Sequence, residues 1–174
     1  IVGCNAMGLS AMMYYILVYI FSNLAAFGVI GAIENKTGMV HISDYNGLSK
    51  TNPWLACSMM LAMFSLAGIP PFAGFFSKFF IFTSAINQGS IAIYILVLIA
   101  LINTIVSLYY YLLVVKAMYI SPEEPQIAPF RSACSERLGL WITVAGIIGL
   151  GIVSFFYDTI LNVGEATTLF TFVG

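Results

Sequence analysis

One basic residue stands where charge is expensive. Lys78 falls within Gly74-Phe75-Phe76-Ser77-Lys78-Phe79-Phe80-Ile81-Phe82, among apolar neighbours. It precedes the end of its apolar stretch, Ile86, by about 12 Å of helix at ~1.5 Å per residue. That is too deep for an interfacial anchor. An ionised lysine near a bilayer centre costs at least about 2.5–3.5 kcal/mol, so Lys78 is expected to face a bundle interior with a polar partner or water. Held away from bulk solvent, an amine exchanges its proton according to its surroundings, which is the chemistry of a proton relay. The competing structural readings are a lysine that snorkels to the interface or one held in a permanent ion pair. The apolar spans contain no acidic residue except Asp158, near the end of the last one, so a carboxylate partner has to come from outside this piece.

Just before Lys78 lies Gly68-Ile69-Pro70-Pro71-Phe72-Ala73-Gly74. Two adjacent prolines remove two amide donors and clash with the preceding turn. Residues that precede a proline are pushed out of helical geometry. Pro70, Pro71 and Gly74 therefore mark a helix break. Such a joint survives at membrane depth only if it is covered by protein or lines a polar cavity, and discontinuous helices of this kind mark ion pathways. A kinked helix without functional consequence is the bland alternative. Asn103 and Ser107 share one face of a helix at i and i+4. They form a polar path that holds water beside Lys78, or they are packing glue between helices; packing is the preferred reading. Ser22 and Asn23 carry the same ambiguity.

The elements that must position these residues are four apolar spans, at 10–33, 54–86 (broken near 69–74), 91–119 and 138–161. Each exceeds the roughly 20 residues that cross a ~30 Å core. Backbone in lipid must satisfy its own hydrogen bonds, so the spans are helices. The second is about 50 Å long if continuous, at ~1.5 Å per residue, too long for one straight crossing. The fold class is thus all-α, a polytopic transmembrane helix bundle with one discontinuous helix. Lys36, Lys50, Lys116, Arg131 and Arg137 flank the first and third connections, while the turn at 87–90 has no basic residue. The positive-inside rule places those two connections on the cytoplasmic, matrix or stromal side. Tyr109-Tyr110-Tyr111 reads as an aromatic belt, and Ala145 with Gly149 as a small-residue contact pair.

Composition agrees. Hydrophobic residues make up 61% of the 174 and charged ones 7%, against roughly 25% charged in a soluble domain. With a net charge of −1 and no basic run, no nucleic-acid partner is expected. Cys4, Cys57 and Cys134 lie far apart in sequence, without a CxxC or Cys/His cluster, so metal and redox-motif readings have little support. The chain opens at Ile1 without a methionine or a basic n-region, and reads as a piece cut from something longer.

The run Ser65-Leu66-Ala67-Gly68-Ile69-Pro70-Pro71-Phe72-Ala73-Gly74-Phe75-Phe76-Ser77-Lys78-Phe79 resembles the signature of the subunit N (chain 2) family of proton-pumping NADH:quinone oxidoreductases, respiratory complex I. Tyr19-Ile20-Phe21-Ser22-Asn23-Leu24-Ala25-Ala26-Phe27-Gly28 and Leu108-Tyr109-Tyr110-Tyr111-Leu112 are similar to the flanking helices of that family. The resemblance covers about Met12 to Tyr119. It implies an antiporter-like fold of about fourteen crossings, of which this chain supplies the last four. Lys78 matches the family's lysine on the broken helix. Ser77 stands where glycine is often found, which leaves that match intact. The resemblance further implies no cofactor in this chain. NADH, flavin, iron–sulfur clusters and quinone belong to partner subunits. The partners are other membrane subunits, the lipid bilayer and protons. The location is a bacterial inner (plasma) membrane, or else an organelle inner membrane. A multi-subunit cation/proton antiporter or a membrane-bound hydrogenase of the same fold is the second reading, and a purely structural scaffold is the third.

Overall fold

The computed structural model describes the backbone of residues 6–171 and the side chains of residues 8–154. Its long helices are α1 (Ala6–Thr37), α5 (Ile91–Ile120) and α6 (Cys134–Thr171). Between α1 and α5 lie the one-turn α2 (Leu48–Thr51) and two shorter helices, α3 (Pro53–Ala67) and α4 (Ala73–Ile86). No strand occurs among the described residues. The segments Gly8–Thr37, Ile91–Ile120 and Cys134–Ser154 are each long and apolar enough to cross a membrane.

The second apolar stretch folds as two shorter helices. α3 has 15 residues and α4 has 14. Each rises about 21–22 Å at ~1.5 Å per residue, short of a ~30 Å hydrocarbon core. The observed joint is Gly68–Phe72, so Gly74 stands inside α4 rather than in the joint.

α1 packs against α3, α4 and α6, and α3 also packs against α5. The shared core gathers toward one end. Val29 and Ile33 of α1, Ala56 and Met59 of α3, Met118 of α5 and Ile147 of α6 are all buried there. The connections at that end are built into it. Tyr45 and Leu48 from the first and Ile127 from the second belong to the same core. Burial, then the nearby charges of Asp44 and Glu34, pushes the Tyr45 phenol above its ordinary range.

Asn52 ties the two connections together. Its amide nitrogen donates to the carbonyl of Ala128 at 3.2 Å, and its amide oxygen accepts the Phe130 N–H at 3.1 Å. One residue further on, Pro53 occupies the first turn of α3, where a missing N–H costs nothing. Trp54 stacks on Trp141 of α6 with centroids 4.1 Å apart.

The opposite half is looser. α5 exposes Ile91, Ile95, Leu98, Ile102 and Ile105, a face fitted to lipid or to another apolar surface. Ala145 is exposed and a methyl on Gly149 would meet nothing within 4 Å. The close approach of α6 to α1 falls instead at Gly146, against Phe21.

Candidate functional site

α3 stops because Gly68 adopts φ +81°, a left-handed conformation open to glycine at no steric cost. The Gly68 N–H reaches the carbonyls of Phe64 (3.1 Å) and Ser65 (3.0 Å), and the Ile69 N–H reaches Phe64 at 3.0 Å. This is a Schellman-type termination. It leaves the carbonyls of Leu66 and Ala67 without backbone donors. In a continuous helix their partners would be the amides of residues 70 and 71. Both are prolines and have no N–H to give.

Lys78 supplies the missing donors. From the second turn of α4 its side chain runs back toward the helix N-terminus, the direction that helical side chains favour. Its ammonium donates to Leu66 O at 2.8 Å and to Ala67 O at 3.2 Å. The two carbonyls carry the negative end of the α3 dipole, where a cation is favoured. The prolines that open the helix and the lysine that closes it are therefore one arrangement. Lys78 is half-buried, and it points into the break rather than out to an interface.

Gly74 is needed for that arrangement. A β-carbon there would lie 1.7 Å from the carbonyl oxygen of Ser65, so only glycine lets the first turn of α4 come this close to the last turn of α3. Behind the joint runs α6, where a methyl on Gly151 would sit 3.0 Å from Pro71 O. Tyr14 of α1 donates to Leu150 O of α6 at 3.1 Å and also contacts the Ser154 hydroxyl.

In front of Lys78 lies a cleft of roughly 200 Å³, room for several waters at about 30 Å³ each. α1 contributes Tyr15, Tyr19 and Ser22. Ser65 and Ser77 line it beside the joint, and α5 contributes Asn103, Thr104, Ser107 and Tyr111. No carboxylate is among these lining residues. Thr104 donates its hydroxyl to Ala100 O and Ser107 donates to Asn103 O, both at 2.9 Å. Each thus spends its one proton on its own helix and offers only lone pairs to the cleft.

The structure brings Lys78, Asn103 and Ser107 to one cavity and sets Pro70 and Pro71 in the joint beside it. Ser107 bonds along its own helix, not across to a neighbour. Reading the sequence alone missed Ser65, Ser77 and Tyr111. Tyr109 and Tyr110 are exposed as a belt would be, whereas Tyr111 lines the cleft. Its spacing of four from Ser107 and eight from Asn103 was the available signal. Asp158 lies outside the described side chains.

Fold and site together define a polytopic α-helical membrane protein whose interrupted crossing is closed by a lysine. Residues 1–104 match the family described as NADH:quinone oxidoreductase/Mrp antiporter, TM, and the chain belongs to that family. The NADH-quinone oxidoreductase subunit N of Phocaeicola vulgatus is 58% identical over 151 residues, covering 86% of this chain and 31% of that protein. The subunit N of Azobacteroides pseudotrichonymphae is 51% identical over 162 residues, covering 92% and 33%. A chain in the structure of respiratory complex I from Thermus thermophilus with bound aureothin matches with TM-score 0.66 and 29% identity, over 91% of this chain and 34% of that one. The chain spans about a third of the length of the relatives it matches.

Proposed function

We propose that this chain is part of a proton-translocating membrane subunit of an NADH:quinone oxidoreductase, with Lys78 as its proton relay. The observation that carries the reading is the position of the ammonium, which bonds two carbonyls that the prolines leave open and faces a hydroxyl-lined cleft. An ammonium has three N–H donors. Two rest on Leu66 and Ala67, and one is left for the cleft. Loss of that proton leaves a neutral amine that keeps both carbonyl bonds and turns its lone pair toward the cleft. The proton can then be exchanged without dismantling the joint. Water held against the acceptor oxygens of Thr104 and Ser107, beside Asn103, is the next station.

The relatives named subunit N favour this over a cation/proton antiporter or hydrogenase assignment. In this reading NADH, flavin, iron–sulfur and quinone chemistry sits in partner subunits, and this chain contributes charge transfer in the bacterial inner membrane. Coupling is indirect: quinone reduction elsewhere alters charges along the membrane subunits, and Lys78 responds by releasing or accepting a proton.

The test is Lys78→Met in the complete subunit, assembled in its complex in inverted membrane vesicles. Proton uptake per NADH oxidised is expected to fall severalfold. A wild-type ratio at a wild-type oxidation rate overturns the role.

A further inference from the structure

Several described hydroxyls in the helices return to their own helix. Ser58 donates to Trp54 O, Thr104 to Ala100 O, Ser107 to Asn103 O and Thr143 to Leu140 O. Ser22 of α1 and Ser65 of α3 turn to each other instead, with hydroxyl oxygens 2.8 Å apart. Both residues are 1% exposed, at the inner edge of the cleft. A hydroxyl–hydroxyl bond between side chains this buried is costly to leave half-made.

Ser65 stands at the mechanical centre of the site. Its carbonyl accepts the N–H of Gly68, the residue that ends α3. The same oxygen lies in the space that a side chain at Gly74 would need. The next two carbonyls along the chain, those of Leu66 and Ala67, hold the Lys78 ammonium. α1 therefore grips, through one hydroxyl, the single turn whose carbonyls meet the lysine.

We propose that Ser22 and Ser65 are positioning residues for Lys78. The bridge pins the last turn of α3 to α1 and sets where its two open carbonyls lie relative to the ammonium. A shift of α1 along α3 is then transmitted to Lys78 through one hydrogen bond. This rests on the reading of Lys78 as a relay.

The experiment uses the full subunit in its assembled complex in inverted vesicles, with Ser22→Ala, Ser65→Ala and Ser22→Thr. The first readout is the infrared difference band of the Lys78 ammonium, assigned by its disappearance in Lys78→Met. The second is proton uptake per NADH oxidised. Both alanine variants are expected to move the band and to lower the ratio about two- to fivefold, while NADH oxidation stays within about twofold of wild type. Ser22→Thr, which keeps the hydroxyl, is expected to bring both readouts back toward wild type. If an alanine variant does not assemble, Ser65→Cys keeps the side-chain shape at a slightly larger size, weakens the bond and is read in the same way.

An unmoved band with a wild-type ratio in the alanine variants overturns the positioning role. So does a lowered ratio with an unmoved band, because the lysine is then not what the serines act on. A wild-type ratio in Lys78→Met overturns the relay reading itself. An impaired Lys78→Met beside unaffected serine variants overturns only the positioning role.

Discussion

Asn52 and Lys78 perform the same local task in two parts of the molecule. Each is a polar side chain that satisfies two main-chain groups that no helical hydrogen bond reaches. Asn52 bonds Ala128 O and Phe130 N where the two connections meet. Lys78 bonds Leu66 O and Ala67 O inside a crossing. An amide both donates and accepts and has no proton to exchange, so Asn52 is a fixed staple. An ammonium only donates and can lose one of its three donors, so the same geometry at the joint is also a switchable one. In the relay reading proposed above, what sets Lys78 apart from Asn52 is its capacity to titrate and its access to a cleft, not burial alone.

Perturbations that separate staple from relay sharpen this contrast. The largest effect is expected from Gly74→Val, which breaks the joint without touching either polar residue. The 1.7 Å approach to Ser65 O cannot be relieved by a small shift, and the assembled subunit should be lost, as read by native electrophoresis and NADH oxidation. Lys78→Met comes next. It should cut proton uptake per NADH severalfold and also lower the thermal midpoint, because Leu66 O and Ala67 O lose their donor.

Asn52→Ala should affect stability alone. It orphans two backbone groups at about 1–3 kcal/mol each, lowering the thermal midpoint of the complex in detergent while leaving protons per NADH unchanged. If Asn52→Ala changes the ratio without changing stability, the distinction between the two sites fails. Ser107→Ala should lower the ratio by less than about twofold, because water can still be held by Thr104 and Asn103. Tyr45→Phe should be the smallest change. The Tyr45 hydroxyl is buried without a protein partner among the described residues, so its removal should leave the thermal midpoint unchanged or slightly higher.

How much of this was legible in the sequence depended on whether the cause was local. Pro70, Pro71 and the lone Lys78 announce themselves, because a missing N–H and a charge among phenylalanines have consequences at the residue itself. The long apolar helices follow from run length alone. That the lysine bonds the carbonyls the prolines orphan requires knowing that its side chain folds back over residues 66 and 67, which depends on Gly74 permitting the contact. Ser65 and Ser77 read as small neutral residues until the helices cross. Tyr111 was hidden by its two neighbours, which face outward. Asn52 reaches partners 76 and 78 residues away, and no pattern in a single sequence records that pairing.

The two half-helices are nearly equal, and the lysine's charge is drawn to where they meet. A membrane voltage therefore acts on that charge as it would on an ion parked partway down a wire. Moving one elementary charge through the whole potential is worth about 2.3 kcal/mol per 100 mV. Under the proposed relay role, arriving at Lys78 and departing from it would divide that cost, so an energised membrane would oppose translocation in two smaller steps instead of a single steep one.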